Sequence, residues 1–368
     1  MKEKIKQWIR YHALKRWFEK YERWVMPATL VLGVLADAIT FTTIDITTSF
    51  LLLGVYFGIA GAMIAYQNAY DAGRIPKYDF WQYLRLSAPF AIQFTFGALL
   101  SGSFIFYFFS GTVFVSWPFI AILVILMVSN DVFRRYYLKS LVQLSVFFFI
   151  LLSLVSIILP FVLHTLASWV FVFASAVSLV ILFVYTLLLA RIIPHIQRER
   201  GRLAALAFFI VASINSLYFF NIIPPIPLAL RDAEVAHSVV RSGNSYTLGV
   251  EEESFWEGLW PHRTFHKALG EKVYMYTAIF APADLITTIV HHWQYYDETQ
   301  KQWLSRDRLT FPITGGTKRG YRGYSLKTVV EPGRWRVDVE TARGQVLGRV
   351  NFRVLSRDQN IPLKTVVK

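Results

Sequence analysis

The run SLVQLSVFFFILLSLVSIILPFVL (Ser140–Leu163) decides the architecture. It carries no charged residue along its whole length. A bilayer core about 30 Å thick needs roughly 20 such residues in a helix. Backbone groups find no water in lipid, so a run of this kind can satisfy its peptide bonds only as a helix. Six further runs share its character, at about 25–44, 47–69, 86–109, 112–130, 167–190 and 203–223. Seven transmembrane helices are therefore expected.

Charge partitions along the chain. Of 368 residues 55% are hydrophobic and only 17% charged, against roughly 25% charged in soluble domains. Disorder is excluded by this apolar content, and a disulfide scaffold by the absence of cysteine. The composition changes near Pro224. Residues 1–223 hold 18 Lys and Arg against 9 Asp and Glu, and residues 224–368 hold 20 against 15. The 18 cations fall in four groups: eight before the first run, then Arg74, Lys77 and Arg85, then Arg134, Arg135 and Lys139, then Arg191, Arg198, Arg200 and Arg202. The alternate loops hold none. Cytoplasmic loops are the basic ones. The N-terminus is thus expected inside and the last 145 residues outside. The net charge of +14 reads as a topology signal, and no nucleic-acid partner is expected. Trp117 and Trp169 fall near the expected outer ends of their spans, where an aromatic belt belongs.

Residues 1–24 read as a basic amphipathic helix on the inner leaflet. Leu14, Trp17, Phe18, Tyr21 and Trp24 share one face, and Lys15, Arg16, Lys20 and Arg23 the other. No cleavable leader is expected.

Inside the spans, Asp37 is the acid nearest mid-membrane. Such a residue faces a bundle interior or a wet cavity. Asn215 and Gln93 are candidate partners for it. The stripe Gly54, Gly58 and Ala62 would let a neighbouring helix approach closely. No H-E-x-x-H and no Walker A motif occurs. His164 and His195 fall in loops, and spacing alone locates no nucleophile–base pair.

After the helices, residues 224–270 read as an extracytoplasmic connector opened by Pro224 and Pro225. His262 and His266 stand at i, i+4 within it, too few for a metal site; no metal or cofactor is expected. Residues 271–368 read as an all-β domain. Strands are expected at Val273–Phe280, Leu285–Tyr296, Gln302–Ser305, Leu309–Ile313, Tyr324–Val330, Arg334–Glu340 and Val346–Leu355. In Arg334–Glu340, Trp335, Val337 and Val339 alternate with Arg336, Asp338 and Glu340, so one face is buried and the other charged. Seven short strands with this patterning suggest an immunoglobulin-like sandwich. The adjacent His291 and His292 must point to opposite faces.

Several stretches here carry a resemblance. Ile313-Thr-Gly-Gly-Thr-Lys-Arg-Gly-Tyr-Arg-Gly-Tyr-Ser325, Gly333-Arg-Trp-Arg-Val337 and Gly344-Gln-Val-Leu-Gly348, with His292-Trp293, resemble the bacterial domain-of-unknown-function family 2914. The likeness covers about 270–355. Asn221-Ile-Ile-Pro-Pro-Ile-Pro-Leu228 resembles the connector of membrane-anchored members. The resemblance implies a bacterial envelope protein with a β-domain and supplies no activity and no catalytic residues.

By its own chemistry, the glycine-rich segment before Ser325 is the candidate binding site. Glycines 315, 316, 320 and 323 free backbone N–H groups that can cradle an anion. Lys318, Arg319 and Arg322 can pair with it, and Tyr321 and Tyr324 offer flat faces for a sugar. The expected function is a non-enzymatic protein of the bacterial cytoplasmic membrane that displays its β-domain outside, for binding or assembly. Membrane lipids, an anionic envelope polymer or a protein are its candidate partners, and the oligomeric state is open. The alternatives are a membrane enzyme or transporter handling an amphiphilic substrate through Asp37, or a sensor working through a cytoplasmic partner.

Overall fold

The computed structural model describes residues 28, 32, 36–37, 46–110, 113–132, 139–224, 228–243, 245–252, 263–268, 270–281, 285–315, 320–357 and 362–368. The chain divides into two compact units. Most of the helical residues form one, and the second joins residues 107–117, 160–166 and 220–368.

Six helices are described: α1 (Ile46–Asp71), α2 (Asp79–Phe109), α3 (Val113–Val132), α4 (Ser140–Leu163), α5 (Ser168–Ile192) and α6 (Pro194–Phe219). Five of them, α1, α2, α4, α5 and α6, are long and apolar enough to cross a membrane, whereas the apolar stretch of α3, Val115–Asn130, is shorter. The seventh expected span, 25–44, lies outside the described residues except for 28, 32, 36 and 37, which are helical. The amphipathic helix expected over 1–24 lies wholly outside them.

The decisive run, α4, is with α2 one of the two most buried long helices among the described residues. Its Phe148 and Leu151 pack on Leu182 of α5 and Ala207 of α6. Phe147 of α4 stacks on Phe57 of α1 at 4.2 Å. The close approach of α1 occurs at Gly61, where an added Cβ would stand 3.2 Å from the Phe147 ring. The Tyr185 hydroxyl donates to the Gly61 carbonyl there, at 2.7 Å. Gly54 and Gly58, expected to admit a neighbour, meet nothing within 4 Å. Size and position along the helix, rather than a repeat of small residues, set the contact.

The second unit holds eleven strands: β1 (Ala229–Ala236), β2 (Ser238–Ser242), β3 (Ser245–Glu251), β4 (Arg263–Lys267), β5 (Val273–Phe280), β6 (Ile286–Asp297), β7 (Gln302–Thr314), β8 (Tyr321–Lys327), β9 (Gly333–Thr341), β10 (Val346–Ser356) and β11 (Leu363–Val367). They form three sheets, in the orders β1-β5-β8, β4-β10-β9-β6-β7 and β11-β3-β2. Pairing is antiparallel except between β4 and β10. Alternate residues of the first two sheets share one core. Met275 and Ile279 meet Trp293, Trp335, Val337 and Phe352 there, and Leu166 packs against it. The opposite face of β5 presents Tyr276 and Ala278 to Tyr246 and Leu248 of β3.

The stretch read as a connector thus contributes β1 to β4. Charges at Arg231, Asp232 and Glu234 hide the alternation of β1, although it pairs with β5 along its length. The two strands expected at 302–305 and 309–313 are one strand, β7. The charged triplet Arg306-Asp307-Arg308 that separates them in sequence is a bulge. Gln294 pairs with Ser305 but Trp293 with Asp307, which leaves Arg306 as the extra residue.

Candidate functional site

The outward face of the five-stranded sheet is the most organised polar surface of the β-region. On β6, β9 and β10 the side chains alternate, so Trp293, Val337 and Phe352 go inward while His292, Gln294, Arg336, Asp338, Glu340 and Arg349 go outward. The bulge adds two residues to that face. Ser305 and Arg308 are three apart and would normally oppose each other. With Arg306 looped out, both stand beside His292 and Gln294.

Two acids anchor the face. Asp338 and Glu340 are only 3% and 5% exposed, and an unpaired carboxylate at that depth is costly. Arg349 clamps Asp338 through Nε to Oδ1 at 2.6 Å and Nη2 to Oδ2 at 2.8 Å. That bidentate pair holds the Arg349 pKa above its ordinary value. Gln294 Nε2 adds a third bond to Asp338, at 3.2 Å. Arg308 Nη2 donates to Glu340 Oε2 at 2.8 Å. Arg336 behaves differently. Its Nε and Nη2 donate to the neutral Gln294 Oε1 at 2.9 and 2.6 Å. Burial first, then the Arg349 charge, pull its pKa down. Its guanidinium lies 4.4 Å from the Trp303 ring centroid, Trp303 packs on Tyr296 at 5.2 Å, and Arg334 covers Tyr296 at 3.8 Å.

The same face contains a hydroxyl–imidazole–carboxylate series. His292 Nε2 lies 2.8 Å from Ser305 Oγ, and its Nδ1 lies 3.0 Å from Glu340 Oε1. With the proton on Nδ1, Glu340 orients the ring and Nε2 can accept from Ser305; the Gln294 Nε2 and Arg308 Nη1 donors, at 3.1 and 3.4 Å from Nδ1, favour the opposite tautomer. That is the order of roles in a serine hydrolase. Sequence reasoning missed it because its three members come from three strands and a bulge sets their parity.

Two other polar clusters are structural. His291 lies on the core side of β6, as alternation requires, with Nε2 3.0 Å from Thr277 Oγ1 and Nδ1 2.8 Å from Ser325 Oγ. Trp293 donates to the same Ser325 oxygen at 3.2 Å. Burial pulls the His291 pKa down to about 3. Where β1, β3 and β4 meet, His237 sits between two carboxylates, 2.5 Å from Glu271 Oε1 and 3.0 Å from Glu251 Oε1. His266 reaches the other Glu251 oxygen at 2.8 Å. Burial pulls the His237 pKa down, but its two carboxylate partners reverse this and leave it raised. Burial likewise raises Glu251, yet its histidine partners leave it lowered. His262 lies outside the described residues, and His266 stands on a strand rather than a helix. Among the described residues no group of three or more His, Asp and Glu is placed to hold a metal ion.

The glycine-rich segment is divided by the structure. Lys318 and Arg319 lie outside the described residues. Tyr321, Arg322 and Tyr324 belong to β8 and do not share one face. Tyr321 packs on the core. Arg322 Nη1 donates to the Lys368 carbonyl at 3.1 Å, and Tyr324 packs near the rings of Tyr246 and Tyr274 on the other side. Gly320 has φ +85° with the Ile279 backbone where a Cβ would go, and Gly323 is filled by the Phe311 ring. These two glycines permit close packing. In the helical unit, Asp37 is buried beside the Ser101 hydroxyl and makes no ion pair among the described residues. Asn215 instead donates to Ser175 Oγ at 2.8 Å and to the Val211 carbonyl at 2.9 Å.

Helices of membrane-spanning length followed by a C-terminal β-rich region define the class of this protein. Within it, residues 286–354 match the DUF2914 family, described as a protein of unknown function. The match runs over β6 to β10, the strands that build the charged face. No curated protein matches the chain. Among solved structures, a β-glucosidase from Listeria innocua in complex with gluconolactone is similar at 13% identity and TM-score 0.19, over 33% of this chain and 16% of that one. The alkylpurine DNA glycosylase AlkC of Pseudomonas fluorescens, bound to DNA containing an abasic site analog, is similar at 12% identity and TM-score 0.22, over 91% of this chain and 99% of that one. Likeness at these TM-scores carries no argument about fold or function.

Proposed function

We propose that this chain is a seven-span integral membrane protein of the bacterial envelope, with its N-terminus cytoplasmic. Its immunoglobulin-like β-region would stand outside the membrane, where it binds or assembles with an anionic partner. The partition of Lys and Arg supports the orientation. The packing of Leu166, from an expected outer loop, against the β core is consistent with that loop and the β-region sharing a side. The observation that carries the binding role is the outward face itself. Arg, Trp and Tyr are the residues that dominate binding surfaces, and here Arg336 bonds a neutral amide instead of a carboxylate. Reporter fusions at residues 75 and 195 should read inside, and one at residue 300 outside; an inside signal at 300 sinks the topology. The full chain in detergent should bind immobilised heparin, a model polyanion, in a salt-sensitive way. Arg336→Gln should weaken that binding about tenfold, the worth of one charge-assisted hydrogen bond. Salt-independent binding, or none, removes the role.

A second reading, as a hydrolase, is favoured by the Ser305–His292–Glu340 geometry alone. A fluorophosphonate probe should then label Ser305, and Ser305→Ala should abolish the label. An unlabelled wild type rejects it.

A further inference from the structure

The helical unit contains an apolar groove with one charged end. The groove lies between α5 and α6 and encloses about 380 Å³. Leu179, Phe183 and Thr186 line it from α5, and Ala204, Ala207 and Val211 from α6. The space exists because α6 places two alanines about one turn apart. Leu182 and Ala207 form its floor against Phe148 and Leu151 of α4. Arg200 is the charged residue in the lining. From Arg200 to Val211 the helix rises about 16 Å at 1.5 Å per residue, enough length for most of an acyl chain.

The charge at the Arg200 end selects the occupant. Arg191, Arg198 and Arg202 lie near Arg200 in sequence, with Glu199 the acid among them. A second copy in the same membrane orientation would bring a matching set of cations to the same depth and be repelled. A lipid with an anionic phosphate headgroup complements both parts at once. We propose that this groove is a specific site for an anionic phospholipid, with one acyl chain along Ala204, Ala207 and Val211 and the headgroup phosphate on Arg200. Basic pockets between spans recognise anionic headgroups in this way. The proposal deepens the membrane reading and rests on it.

The test is native mass spectrometry of the full chain in detergent, exposed to phosphatidylglycerol and phosphatidylcholine of identical acyl chains. The wild type should retain phosphatidylglycerol preferentially. Arg200→Gln should lower that retention about tenfold and erase the preference. Arg198→Gln, an exposed position outside the lining, should keep it. Ala204→Trp should expel both lipids; Ala204→Leu serves if the larger residue lowers the melting temperature. Equal retention of the two lipids by wild type, or an unchanged Arg200→Gln, overturns the proposal. Alkaline carbonate extraction separates the two failures. A chain released from membranes by carbonate defeats the membrane reading, whereas a chain that stays in the membrane yet shows no preference defeats only this site.

Discussion

The two units treat a buried acid in opposite ways. In the β-region Asp338 and Glu340 are 3% and 5% exposed, and each is met by an arginine within 2.8 Å. In the helical unit Asp37 is 1% exposed, with the Ser101 hydroxyl beside it and no cation paired to it among the described residues. A sheet face can recruit cations from three neighbouring strands while their chains still reach water. A helix in an apolar bundle has no such supply. Burial therefore carries different meanings in the two places: a fixed ion pair in one, an uncompensated polar group in the other.

The largest expected effect tests the compensated side. Removing one partner of a buried pair leaves the other charge uncompensated, at a cost of about 3–5 kcal/mol. Arg349→Ala should strip Asp338 of its bidentate clamp and lower the stability of the β-region by that amount, read from the thermal unfolding of the full chain. A loss below about 1 kcal/mol would show that water reaches Asp338 and that the pair behaves as a surface one.

The next effect is set by pH and compares two histidines within the β-region. His291 has its pKa pulled down to about 3 from 6.5 by burial. A histidine held neutral in the fold favours the unfolded chain once protons become available. Its contribution is complete above pH 6.5 and is lost as pH falls. Between pH 6.5 and 5 the loss approaches about 2 kcal/mol, at 1.36 kcal/mol per unit. His237 is raised, so its carboxylate partners add stability below pH 6.5 that is lost as pH rises through the folded value. The two therefore act in different windows: His291 below pH 6.5, and His237 between pH 6.5 and its higher folded value. Melting curves at pH 6.5, 6 and 5 should fall for wild type, flatten for His291→Asn, and run lower but parallel to wild type for His237→Asn, whose deficit should shrink only as pH rises above 6.5. A flat wild-type profile would show that His291 is reached by solvent.

How far the sequence foretold these features follows from their range. The helical runs were legible because each is continuous and long. Alternation in Arg334–Glu340 was legible because it is local. β1 to β4 were not, since charges interrupt the pattern of β1 and β1 finds its partner about 40 to 50 residues downstream. The charged face was half legible: Arg336, Asp338 and Glu340 could be assigned to it, but Ser305 and Arg308 join it only through the bulge at Arg306, which pairing creates. The glycine-rich segment misled for a related reason. A glycine that frees a backbone for an anion and one that makes room for Phe311 read the same in sequence.

Asp37 gives a smaller effect of opposite sign. An acid that no cation meets gains little from its charge, so Asp37→Leu should leave stability unchanged or raise it by about 1 kcal/mol, read from thermal unfolding. A drop of several degrees would mean that a partner holds it. Asp37→Asn then sharpens the result: normal melting with loss of function would make Asp37 a working residue and move weight to the transporter or enzyme reading.

The smallest effect isolates burial from geometry. Arg334 holds Glu298 as Arg349 holds Asp338, through Nε and Nη2, here both at 3.0 Å. It also lies 3.8 Å over the Tyr296 ring. The side chains are 48% and 69% exposed, against 17% and 4% for the Arg349 pair. In water the attraction is screened, and ordering two long side chains offsets what remains. Arg334→Ala should therefore leave the melting temperature within its reproducibility, at low and at high salt. Run beside Arg349→Ala, it keeps the substituted residue and the bidentate pattern and chiefly changes depth. If the two variants lost equal stability, geometry rather than burial would set the strength of these pairs, and the contrast drawn between Asp338 and Asp37 would lose its physical basis.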